Sequence, residues 1–135
     1  MKIKLHFFLA GLAIMLLSGC STSQSEKLPA GDIDIYTKYD YEIATLHNSA
    51  LRTDSKQKYE AALTLYKNID FSFVRDVATL GKIFGARDAH LSKISFENEK
   101  QTIIYVYRHK GKRVRFVFIR YNDAIIHSEC TDEIQ

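Results

Sequence analysis

The sequence predicts an α+β fold: two or three N-terminal helices packed on a three- to four-stranded antiparallel meander sheet. Three observations carry this expectation. Between Asp54 and Gly85, apolar residues recur at the i, i+3, i+4, i+7 spacing of a helix face. From Leu91 onward the period changes to two. The period-two runs are separated by short turn-forming stretches, Asn98-Glu99-Lys100, His109-Lys110-Gly111-Lys112 and Asn122-Asp123.

The elements are best taken in chain order. Lys2 and Lys4 precede an apolar run from Leu5 to Leu17, broken only by His6 and Gly11. That run is too short to cross a hydrocarbon core, which needs about 20 residues. A positive start, a short apolar run and a small-residue ending describe a cleaved secretory signal. The ending itself is Leu17-Ser18-Gly19-Cys20. It resembles the bacterial lipobox: a branched apolar residue, two small residues, then cysteine. The resemblance implies a diacylglyceryl group on the Cys20 sulfur, cleavage before Cys20, and acylation (palmitate-type) of the freed amine. Two or three acyl chains, at about 0.8 kcal/mol per buried CH₂, anchor stably where one chain is marginal. Residues 1–19 are then a lipoprotein signal peptide. Residues 20–31, polar, small and breaker-rich, form a lipidated flexible tether, and 32–135 a single α+β domain. Fully extended, residues 21–31 span at most about 36–40 Å. Ser21 follows the cysteine, where lipoproteins retained at the inner membrane carry Asp. The resemblance therefore implies an outer-membrane protein facing the periplasm, or the outer face of the plasma membrane in a Gram-positive cell.

Within the domain, Tyr36, Tyr39, Ile43, Leu46 and Ala50 follow a 3-4-3-4 spacing, which predicts a helix over roughly 38–51. Residues 32–37 also alternate as a strand would, and stay open. Asp54 is a candidate N-cap for the next helix, with Gln57 in the capping-box position. Tyr59, Ala62, Leu63 and Tyr66 share its apolar face, and Asn68 to Asp70 ends it. A third helix starts after Asp70 or Ser72, carries Phe73, Val77, Leu80 and Phe84 on one stripe, and has Gly85 as its C-cap. These stripes read as core.

Strands are expected at 92–97, 101–108, 113–121 and 124–129. A short loop around Lys110-Gly111 puts Ile103, Tyr105 and Tyr107 on one face with Val114, Phe116 and Phe118. That aromatic face is the natural floor for the helices. The opposite face carries Ile104, Val106, Arg108, Arg113, Arg115, Val117 and Ile119. A two-residue loop at Asn122-Asp123 adds Ala124, Ile126 and Ser128 to it. An apolar centre with a charged rim is a typical protein-contact surface, so these residues are the candidate partner surface. The competing expectation is that segment 32–52 covers this face. A one-residue slip would exchange the two faces.

Composition limits the function classes. Removing Lys2 and Lys4 with the signal leaves 17 basic against 16 acidic side chains. That balance lacks the basic excess of a nucleic-acid-binding domain, so no nucleic acid is expected. Only two cysteines occur, Cys20 and Cys130. With Cys20 lipidated, Cys130 is expected as a buried apolar residue or an unpaired thiol. There is no G-x-S-x-G, P-loop, H-E-x-x-H or C-x-x-C. His127 and Cys130 are expected on opposite strand faces, and His47, His90 and His109 are scattered. No catalytic residue, cofactor or metal ligand is predicted, and the protein reads as a non-enzyme.

The stretch F-S-F-V-R-D-V-A-T-L-G-K-I-F-G at 71–85, followed by I-I-Y-V-Y-R and V-R-F-V-F-I-R, resembles the SmpA/OmlA family of small outer-membrane lipoproteins. The likeness covers roughly residues 70–128. The family's Gly-Met start is Asp70-Phe71-Ser72 here, and its proline after the glycine is replaced by Ala86-Arg87. The resemblance implies envelope assembly or maintenance through contact with an envelope protein. The alternative is a lipid-anchored inhibitor, immunity or pilotin-like protein with one cognate partner.

Overall fold

Two neighbouring segments far apart in sequence open the fold. Leu28–Pro29 (β1) pairs in parallel with Ile69–Asp70 (β2), and the Ala30 N–H donates to the Asp70 carbonyl at 2.8 Å. The computed structural model describes residues 27–72, 74–85, 90–97 and 99–134, so the expected signal peptide and Cys20 lie outside the described residues. β1 falls within the stretch expected to be tether, and Ala30 is buried. Ordered structure thus begins before residue 32, because the backbone of β2 supplies partners for residues 28–30.

Four helices follow: α1 (Asp34–Lys38), α2 (Asp40–Leu46), α3 (Lys56–Asn68) and α4 (Val77–Phe84). The single helix expected over 38–51 is instead two short ones, separated at Tyr39, whose φ of −111° breaks the helical path. Their buried residues, Ile35, Tyr39 and Leu46, still fall at near-helical spacing. After α2 the Asn48 side chain accepts the Ala50 N–H, a local turn that competes with further helix. Ser55, not Asp54, caps α3: its Oγ accepts the Lys58 N–H at 3.2 Å. Asp76 caps α4 through the Ala78 N–H, so this helix starts later than its apolar stripe suggests. Gly85 ends it at φ +80°, as expected.

β3 (His90–Glu97), β4 (Lys100–His109), β5 (Lys112–Tyr121) and β6 (Ala124–Ile134) form one antiparallel sheet in sequence order. The two connecting turns after β4 and β5 hold both central residues at positive φ: Lys110 and Gly111, then Asn122 and Asp123. That conformation matches the right-handed twist of paired strands. It sets Ile103 opposite Phe118, Tyr105 opposite Phe116 and Tyr107 opposite Val114. All six are buried in one core with Leu46, Leu65, Leu80, Ile83 and Phe84 from the helices. Aromatic rings join the layers: Tyr66 stacks on Phe116 at 4.7 Å, and Phe84 on Tyr105 at 5.3 Å. The Tyr107 hydroxyl donates to the Phe84 carbonyl, meeting an acceptor that the end of α4 leaves unpaired. His47 does the same for the Lys82 carbonyl, at 2.9 Å.

Two expectations follow. A Cβ on Gly85 would lie 3.2 Å from the Leu46 carbonyl oxygen, at a φ that side-chain-bearing residues rarely adopt. Gly85→Ala should destabilise the domain by about 1–3 kcal/mol in urea denaturation. Burial also pushes the Tyr105 hydroxyl from 10.0 up to about 12. Tyr59 and Tyr66 shift upward too, chiefly through burial. The folded state therefore holds these protons more tightly than the unfolded chain. Their contribution to stability is complete below pH 10 and is lost as pH rises toward 12. Urea midpoints across that window should fall, and should fall less steeply for Tyr105→Phe.

Candidate functional site

All the helical residues that reach the core do so on the Ile103–Tyr105–Tyr107 side of the sheet. Segment 32–52 is no exception: Ile35, Tyr39 and Leu46 join that same cluster, which does not include Val106 or Val117. The possibility that 32–52 covers the opposite face is thus not realised. This outer face carries the residues singled out from the sequence. Ile104 and Ile119 are half-buried, Arg108 is exposed, and Arg113 and Arg115 are half-buried. Val106 and Val117 are 5% and 7% exposed, so the apolar centre offers a partner less area than its sequence suggests. Each valine lies mid-row between longer side chains: Ile104 and Arg108 flank Val106, and Arg115 and Ile119 flank Val117. Arginine stems commonly cover apolar surface in this way. What a partner can reach is Ile104, Ile119 and the guanidinium groups.

The β6 contribution differs from expectation. A bulge shifts the pairing between Ile119 and Arg120, so Arg120 faces Ile125 while Ile119 faces His127. Ile126 is the inserted residue and is 52% exposed. Beyond the bulge every residue changes face. Ser128 pairs with Phe118 on the core side, within reach of the Tyr66 hydroxyl, instead of lying on the outer face. His127, Glu129 and Thr131 take the outer positions opposite Ile119, Val117 and Arg115.

Cys130 pairs with Phe116 on the core side, opposite in direction to His127, as the strand register requires. It is half-buried and disulfide-bonded, which corrects the expectation of an unpaired or merely apolar thiol. The sequence offers one other cysteine, Cys20, outside the described residues.

The electrostatics of the sheet are uneven along its strands. At the β5–β6 turn, Arg120 donates to Asp123 at 2.8 Å and to Gln101 at 3.4 Å. At the other end, Arg108 and Arg113 stand directly opposite each other, and Arg115 is opposite Val106. Arg113 is not without a partner, and Glu133 of β6 stands in register opposite it. Arg108, Lys110, Lys112 and Arg115 have no ion-pair partner among the described residues. The Nε atoms of Arg115 and Arg120 are both buried without an acceptor among those residues. Buried donors are nearly always paired.

A second feature is an open cleft of about 450 Å³ lined by Ser72, Ile125, Ile126, His127 and Ser128. It contains hydroxyls and an imidazole, but their described contacts lead away from one another. Ser72 donates its hydroxyl to Asp70, a bond that holds the Asp70 carboxyl below its usual value. His127 contacts Glu129 at 3.5 Å. A nucleophile needs its base within about 3.2 Å, and no such serine–imidazole contact is described. No group of three metal-ligating side chains occurs among the described residues. Nor is any described helix long and apolar enough to cross a membrane. The sequence reading missed the exposed Ile33 and Tyr41, at 79% and 70%, since their alternation resembles that of core residues.

No protein-family model, curated protein or solved structure matches this chain.

Arg115→Met would keep the apolar stem and delete the buried Nε. It should leave stability unchanged or raise it by about 1 kcal/mol, read as a shift in the urea midpoint. A marked loss would mean that the guanidinium is already satisfied.

Proposed function

We propose that this is a small envelope lipoprotein that works by protein–protein contact through the outer sheet face. In this reading the Cys20 sulfur carries lipid in place of a bridge to Cys130; the lipid holds the protein at the outer membrane, facing the periplasm, and the domain needs neither cofactor nor catalysis to act. The single observation that carries the contact reading is the one-sided packing of the sheet. The helical core residues gather on one face, and the other keeps Ile104, Ile119 and a set of arginines within reach. The anchor rests on the lipobox-like Leu17-Ser18-Gly19-Cys20 behind a short apolar run. The likeness of residues 70–128 to SmpA/OmlA proteins supplies a partner class: a component of outer-membrane barrel assembly.

In-cell photo-crosslinking tests the contact. A photoreactive residue replaces Ile119, with one at Phe118, on the core face, as control. A discrete adduct at 119 and none at 118 is expected. A barrel-assembly component in that adduct carries the family likeness over. A single unrelated cognate protein moves the reading to the inhibitor, immunity or pilotin class. No adduct at either position rejects the outer face as the working surface. The intact mass of the mature protein tests the anchor separately. Lipid on the Cys20 sulfur and a bridge from it to Cys130 exclude each other, so a mass of the unacylated chain would reject the lipoprotein reading.

A further inference from the structure

Resting on the lipid reading of Cys20, the structure points to a second fate for the same sulfur. We infer that Cys20 and Cys130 form a disulfide in chains whose Cys20 has not received lipid, so that bridge and acyl transfer compete for one sulfur.

Count identifies the partner. Cys130 is disulfide-bonded, and the chain holds one other cysteine, Cys20. Cys20 itself lies outside the described residues, and chain length sets its reach. It stands eight residues before Leu28, where β1 begins, a span of at most about 26–29 Å. From β1 the way to Cys130 is short. Lys27 acts on the Asp70 carboxyl, Asp70 accepts from Ser72, and Ser72 lines one cleft with Ser128. Ser128 and Cys130 are two positions apart on β6, about 7 Å. The bridge therefore closes without moving β1 from β2.

The two fates differ in kind. Acyl transfer replaces the S–H of Cys20 with an S–C bond, which thiol exchange does not break. The bridge forms by two exchanges with an oxidant of the disulfide class, R–S–S–R. One protein thiolate attacks it and releases RS⁻, and the other then attacks the mixed disulfide and releases the second RS⁻. The two protein sulfurs are oxidised to one bridge, the oxidant is reduced, and the two thiol protons end on two R–S–H. If lipid arrives first, Cys130 keeps its thiol, opposite Phe116 and packed against the core. Apolar packing disfavours the thiolate there and slows exchange with outside disulfides. If the bridge forms first, it blocks the acyl acceptor until a reducing thiol reopens it. Lipidation is thus the committed step and the bridge the reversible one.

The test compares the same mature chain with and without lipid. One sample is made with its own residues 1–19. The other is made with an ordinary secretory signal ending small-x-small, which delivers the chain from Cys20 without lipid. Both are blocked with iodoacetamide under denaturing conditions, digested without reductant and mapped by mass spectrometry. In the unlipidated chain the Cys20 and Cys130 peptides should be linked, and dithiothreitol should separate them. In the lipidated chain no linked peptide is expected, and Cys130 should carry the alkyl group. Dithiothreitol should lower the urea midpoint of the unlipidated chain alone, because the bridge closes a long loop. Cys130→Ser should abolish both the linked peptide and that sensitivity. Alkylation of both cysteines in the unlipidated chain would overturn the inference, as would linkage of Cys130 to another protein. A linked peptide without acyl mass in the sample made with its own signal would reject the lipid reading and leave the bridge standing, so the two failures are distinguishable.

Discussion

The architecture depends on the register of one hairpin. Two consecutive residues of positive φ, Lys110 and Gly111, let β4 and β5 pair with no overhang, His109 against Lys112. Because strand side chains alternate, that single choice assigns every residue of both strands to a face. It places Tyr105, Tyr107, Phe116 and Phe118 together, and their rings are what Tyr66, Phe71 and Phe84 pack against. A slip of one residue would set arginines and β-branched residues toward the helices and put the aromatic set into water. The helices have no independent reason to stay. α1, α2 and α4 are each eight residues or fewer, too short to be stable in water without a packed face.

What was legible in the sequence follows from this dependence. Period two with Lys-Gly and Asn-Asp turns gives the hairpins, and the hairpins give the aromatic floor and the arginine face. The apolar stripes of α3 and α4 and the Gly85 cap were legible for the same local reason. Features that arise from tertiary contact were not. The parallel pairing of Leu28–Pro29 with Ile69–Asp70 joins segments some forty residues apart and involves too few residues to leave a pattern. The bulge at Ile126 is silent, since Ala-Ile-Ile-His-Ser reads as an uninterrupted strand in either register. Its consequence, the transfer of Ser128 to the core side, could not be anticipated. Lys58 is another case: it is 1% exposed within α3, where charge alone predicts a solvated position. It is not without a partner, in keeping with the cost of burying a lone charge.

The candidate surface was legible by identity but not by exposure. Alternation says that Val106 and Val117 share a face with the arginines, and they do. It does not say how much of a short, branched side chain remains accessible once longer neighbours lie over it. The outcome shifts emphasis from the apolar centre to its rim. A face whose valines are already shielded can stand in water without a partner. If this face makes the proposed contact, its discriminating groups are polar, and such groups govern partner choice and encounter rate more than raw affinity.

Without Lys2 and Lys4 the chain is nearly neutral, yet that balance conceals a division along the hairpin. Arg120 and Arg115 sit on the same strand, five positions apart; both have a buried Nε with no acceptor among the described residues, but only Arg120 has an ion pair there. Arg120 lies at the end where the chain enters, and its guanidinium nitrogens reach Asp123 and Gln101. Its field is consumed locally by a neighbour three residues away, in an ordinary surface pair of small worth. Arg115 lies toward the other end, with its Nε buried and no carboxylate among the described residues to meet it. The ion pair at one end of β5 and the lack of one for Arg115 among the described residues give the sheet an electrostatic direction.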